Sequence, residues 1–74
     1  MAEYTVRLTQ KEVPDFVHAA EHCDCDVDIF YNRFIVDAKS ILGVLSLDLS
    51  RPLTVRTAVK VPSFEREIRR FAVA

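Results

Sequence analysis

The rhythm of apolar and polar residues changes repeatedly along the chain, and each change predicts an element. "EYTVRLT" alternates, with Tyr4, Val6 and Leu8 on one side and Thr5 and Arg7 on the other. That is the period-two pattern of a half-buried strand. In "QKEVPDFVHAAEHC" the period lengthens. Val13, Phe16, Val17 and Ala20 fall at helical spacing, with Asp15, His18 and His22 off the stripe. "TQKE" at 9–12 has the form of a capping box. A proline is free of cost only in the first helical turn, so Pro14 predicts a helix beginning near Lys11, with Thr9 in the turn before it. "DVDIFY" alternates again, with Val27, Ile29 and Tyr31 opposite Asp26, Asp28 and Phe30. "NR" predicts a two-residue turn, although Asn-Arg is a weaker hairpin signal than Asn-Gly. "FIVDA" then returns as a strand.

Ser40 is a good N-cap for a short helix over 41–47. "PLTVRTAVKV" is rich in β-branched residues and predicts a strand with Leu53, Val55, Thr57 and Val59 on one face. Pro62 and Ser63 open a last helix whose stripe is Phe64, Ile68, Phe71 and Ala72. Glu65 and Glu67 stand early in it and Arg69 and Arg70 late, as the helix dipole favours. The order is strand, helix, strand, strand, short helix, strand, helix. Helices of this length cannot bury their stripes alone. Four strands with one apolar face can receive them, which predicts an α+β fold of two layers with the helices on one face of the sheet. The hairpin makes that sheet mostly antiparallel.

Composition narrows the picture. The chain has 74 residues, which is enough for one domain, 1–74, and a small core. One Gly and three Pro argue against a linker or disordered protein. A net charge of -1 disfavours nucleic-acid binding through a basic surface. No stretch approaches the roughly 18 apolar residues of a membrane span. "MAEYTVRLTQ" lacks a basic start followed by a long apolar run, so no signal peptide is expected. The two cysteines of "CDC" make no disulfide framework, and a cytoplasmic setting with free thiols is the expectation.

The stretch "FIVDAKSILGVLSLDLS" at 34–50 raises a different question, because a polar Ala-Lys-Ser step opens an apolar run with Gly43 inside it. From 36 to 49, Ala38-Lys39-Ser40, Gly43-Val44 and Ser46-Leu47 fall in register with the pattern of HPr. HPr is the small phosphocarrier of the bacterial phosphotransferase sugar-uptake system. The flanking elements agree in order and length, so the chain resembles that family over nearly its whole length. The resemblance implies the βαββαβα open-faced β-sandwich. HPr carries phosphate on a histidine at the start of its first helix, in a Gly-Leu-His-x-Arg-Pro type of motif. Counted back without a gap, that place falls on Thr9 and the arginine's on Lys11, and neither the glycine nor the proline is matched. A threonine ester does not transfer its phosphoryl group as a phosphohistidine does, so Thr9 and Lys11 form a degenerate site.

In Gram-positive relatives of HPr the serine corresponding to Ser40 is phosphorylated by a dedicated kinase. The product binds a transcription regulator in catabolite repression, and a paralogue there lacks the histidine and keeps the serine. The resemblance therefore implies a non-catalytic regulatory or protein-binding module. Its partners would be proteins, such as a kinase or phosphatase or a transcription regulator. Ser40 would be the phosphorylation site, and Lys39, Ser40, Ile41, Leu42 and Leu45 the docking surface. By spacing alone Ile41, Val44 and Leu45 share a helix face that Leu42 does not fit. By resemblance Leu42 and Leu45 match exposed docking positions. Gly43, which costs about 1 kcal/mol relative to Ala within a helix, is expected to admit a partner's backbone. Asp48 stands where HPr usually has glycine, and the loop "SRP" is short.

Two alternatives stay open. One is a working phosphocarrier using His18 or His22. The other is a structural module that dimerises through an exposed strand edge or the Leu42–Leu45 patch. "HAAEHCDCD" sets His18 and His22 at i, i+4 before Cys23 and Cys25, residue types that suit zinc. A solvated histidine pair and a buried cysteine are the simpler reading, and no metal or cofactor is expected.

Overall fold

The computed structural model describes residues 1–73, and the expected order of elements is present in it. Strand β1 (Ala2–Val6) is followed by helix α1 (Val13–Glu21), the hairpin β2 (Val27–Tyr31) and β3 (Phe34–Asp37), helix α2 (Ile41–Leu45), strand β4 (Leu53–Thr57) and helix α3 (Pro62–Ile68). The sheet runs β1-β4-β2-β3, with every pair antiparallel. The helices cover one face. The fold is thus α+β, an HPr-like open-faced β-sandwich.

Register explains why one face is covered. Tyr4, Val55, Ile29 and Val36 stand side by side across the four strands. This row and its neighbours meet the helices. The rows between them are mostly polar: Glu3, Arg56, Asp28 and Asp37 form one, and Thr5, Thr54, Phe30 and Ile35 the next. Because side chains alternate along a strand, a slip of one residue would turn the apolar rows into water. Phe30 on the open face is sheltered by Arg56, whose guanidinium lies 4.5 Å from the ring centre and whose Nε donates to Glu3 at 2.8 Å.

Beneath the sheet, Val13, Phe16, Val17 and Ala20 of α1, Val44 of α2, and Phe64 and Ile68 of α3 are buried against Val6, Val27, Ile29, Leu53 and Val55. Phe16 meets Phe71 edge to face at 6.0 Å. Each large side chain sealed here contributes about 1.5–3 kcal/mol. The Asn32–Arg33 step turns the hairpin with Asn32 at φ 52°, a left-handed conformation that asparagine tolerates better than most residues.

Two expectations need correction. The strand of "PLTVRTAVKV" stops at Thr57, and Val59 is exposed rather than on the inner face. The Thr57 hydroxyl donates to the Val59 carbonyl at 2.7 Å, so the chain turns there and the ladder ends. Ala72 is also exposed. Helix α3 tightens into a 3-10 turn at Arg69–Phe71 and the chain then straightens. Arg7 N donates to Phe71 O at 3.0 Å and Val73 N to Thr5 O at 2.9 Å, so residues 71–73 run along β1 and cover that edge of the sheet. Edge β3 has no such cover among the described residues.

Candidate functional site

The segment 36–50 folds as tightly as its polar opening demands. Ser40 takes extended backbone angles and its Oγ accepts from Gly43 N at 3.0 Å, so it is the N-cap of α2. Val44 and Leu47 reach the core. The other apolar residues of α2 do not. Leu42 is 82% exposed, Ile41 45% and Leu45 38%. Spacing had put Ile41 and Leu45 on an inward face with Val44. A five-residue helix has little more than one turn, and the fold turns only Val44 fully inward. Leu42 and Leu45 stand exposed on the same short helix.

Gly43 has a different reason from the one expected. A Cβ there would lie 3.2 Å from Ser40 Oγ, 3.3 Å from Ser40 Cβ and 3.4 Å from Val36 Cβ. The close approach is thus internal. Gly43 makes room for the cap and for β3. Lys39 is also turned toward its own chain: its ammonium donates to Cys23 O at 2.8 Å and its amide to Asp37 Oδ1 at 2.9 Å. It ties the loop after α1 to the start of α2. Asp48 closes the turn after the helix. Its Oδ1 accepts from Ser50 Oγ at 2.6 Å and Ser50 N at 3.1 Å, and these bonds, with Arg51 assisting, hold the carboxyl below the ordinary range.

Thr9 and Lys11 lie elsewhere, at the head of α1. Thr9 Oγ1 accepts from Glu12 N at 3.3 Å while Glu12 Oε1 accepts from Thr9 N at 2.9 Å. This complete capping box heads a 3-10 turn, Gln10–Glu12, that leads into α1 with Pro14 in the first turn. The Thr9 hydroxyl serves as a helix cap, and Lys11 is exposed. His18 and His22 are far down the same helix, at roughly 1.5 Å per residue. Their rings lie 4.5 Å apart, centre to centre, and His22 Nδ1 sits 3.0 Å from Glu67 Oε1 of α3. They line an open groove with Asp15, Glu67 and Arg70. No imidazole stands at the mouth of α1. The thiols of Cys23 and Cys25 share a hydrogen bond at 3.0 Å and form no disulfide, with Cys23 buried. That hydrogen bond, with burial assisting, raises the Cys25 pKa. No cluster of three or more metal-binding side chains occurs among the described residues, and no helix among them is long and apolar enough to cross a membrane.

Sequence reasoning allowed for an exposed strand edge but did not assign it to β3. "FIVDA" reads as an ordinary strand, and only its pairing shows that Ile35 lies on the open face beside Phe30. Phe34 is exposed too, resting against Tyr31 at 5.6 Å between ring centres. No family model matches this chain, and no curated protein matches it in sequence.

Proposed function

We propose that this chain is a non-catalytic protein-binding module that docks partners through α2, under control of phosphorylation at Ser40. The observation that carries the docking half is the exposure of Leu42 beside Ile41 and Leu45, on a helix capped by Ser40 and anchored in the core by Val44. The regulatory half rests on the resemblance of Ala38-Lys39-Ser40 to the HPr pattern. A phosphate on Ser40 would bring roughly two negative charges to the margin of that apolar surface, enough to change which partner binds. A kinase or phosphatase and a transcription regulator are the partner classes this reading names, with the cytoplasm as the compartment.

The test is incubation with HPr kinase and ATP, followed by peptide mass spectrometry. One phosphate on Ser40 supports the regulatory half, and an unmodified Ser40 in folded protein removes it. A second reading, a phosphocarrier, is favoured by the placement of His22 Nδ1 on Glu67, which leaves Nε2 free to act as nucleophile. Acid-labile label on His22 from the phosphoenolpyruvate-dependent enzyme of the system would select that reading.

A further inference from the structure

The two edges of the sheet differ. Residues 71–73 cover β1, whereas β3 is the last strand on its side. The direction of its free hydrogen-bonding groups follows from the ladder. Ala38 N donates to Val27 O at 2.9 Å, and the register pairs Val36 with Ile29 and Phe34 with Tyr31. In an antiparallel pair every second residue faces its partner strand. Phe34, Val36 and Ala38 therefore spend their backbone groups on β2. Within β3, Ile35 and Asp37 turn theirs outward, and Arg33, next in the same phase, lies in the hairpin turn. The Asp37 carbonyl already accepts from Ser40 N at 3.0 Å and keeps a second lone pair. The N–H and C=O of Ile35 face open water, and its side chain is 57% exposed.

We infer that β3 pairs antiparallel with β3 of a second copy of this chain, about a two-fold axis through Ile35, to give an eight-stranded sheet. The occupant is argued from self-complementarity. A strand that pairs with its own copy on such an axis sets Ile35 against Ile35, Arg33 against Asp37 and Asp37 against Arg33. An apolar centre is then flanked on both sides by opposite charges, which is the cross-strand arrangement that stabilises antiparallel pairs. The outward-facing backbone of Ile35 is in the phase that lets the two central residues exchange both hydrogen bonds. Sliding one strand by two residues instead sets Ile35 against Asp37 or Arg33, apolar against charged. Arg33 makes no ion pair among the described residues, so its charge is free for this contact. Native sheets usually blunt an exposed edge with charge, proline or a bulge. Here the centre of the edge carries Ile35. The pairing stands apart from the reading of α2, since its residues lie on β3 and its test does not touch Leu42 or Ser40.

The test is sedimentation equilibrium of the full chain across a wide concentration range. The expected result is a reversible rise from 8.5 kDa toward twice that mass. R33D and D37R each place like charges opposite each other and are expected to weaken self-association about tenfold. An equimolar mixture of the two variants restores both charge pairs and is expected to associate more tightly than either variant alone. Ile35→Pro removes an N–H that no β2 residue uses. That variant is expected to keep its far-UV circular dichroism and stay monomeric. A wild-type chain that is monomeric at every concentration would overturn the proposal. So would a dimer that withstands Ile35→Pro in folded protein, or a variant mixture no tighter than its components.

Discussion

Helices α1 and α2 are entered in similar ways and end in opposite circumstances. Ser40 caps α2 directly, while Thr9 caps the 3-10 turn Gln10–Glu12 that leads into α1, and each side chain accepts from a backbone N–H three residues on. Beyond the cap, α1 buries Val13, Phe16, Val17, Ala19 and Ala20, whereas α2 buries Val44 and leaves Ile41, Leu42 and Leu45 exposed. The apolar residues of α1 hold the fold together. Of those of α2 only Val44 is sealed in the core, and Leu42 is almost fully exposed.

Substitutions should separate the two helices sharply. Phe16→Ala removes a ring sealed between α1 and Phe71 and is expected to cost about 3–5 kcal/mol. A domain this small would then be largely unfolded at 25 °C, which urea unfolding followed by circular dichroism would show. The caps come next. Thr9→Ala and Ser40→Ala should each cost about 1 kcal/mol, read as a lower urea midpoint at unchanged slope. Equal losses would show that both hydroxyls act as caps in solution. A markedly smaller loss at Ser40 would mean that the fold does not depend on α2 being formed.

A pH effect tests the contact that pins α3 to the sheet. Tyr4 donates its hydroxyl to Glu65, and burial with this bond pushes its pKa up to about 12. The fold thus favours the neutral phenol. That stabilisation is whole below pH 10 and is lost as pH rises toward about 12. Absorbance titration should show a late phenol ionisation that Tyr4→Phe abolishes. The same bond, with Lys60 assisting, lowers the Glu65 pKa from 4.5. Its contribution is present above that value and is lost as pH falls through the lower folded one. The smallest effect is on α2: Leu42→Lys should change stability by no more than about 0.5 kcal/mol, in contrast to Phe16→Ala.

Much of the fold was legible because its signals are local. Alternation marked β1 and β2, the spacing of Val13, Phe16, Val17 and Ala20 marked α1, and Ser40 marked the start of α2. The failures came where a single bond, local in one case and long-range in the other, decided the outcome. Thr57 bonding to Val59 O ended β4 early, and the departure of 71–73 toward β1 took Ala72 from the helical stripe. Within the candidate site, spacing grouped Ile41 and Leu45 with Val44, because a period of 3.6 carries little information over five residues. The role of Gly43 was also hidden, since only the fold brings Val36 and Ser40 against it. The free edge at Ile35 depends on strand order, which no local pattern encodes.

The central claim is that α2 is a docking surface with Ser40 at its margin. Phosphate incorporation by HPr kinase, compared between the wild-type chain and folded Leu42→Lys, tests both parts at once. The account expects label on Ser40 in the wild type and its loss in Leu42→Lys at unchanged urea midpoint. An unlabelled wild type, or equal labelling of the two, would contradict it.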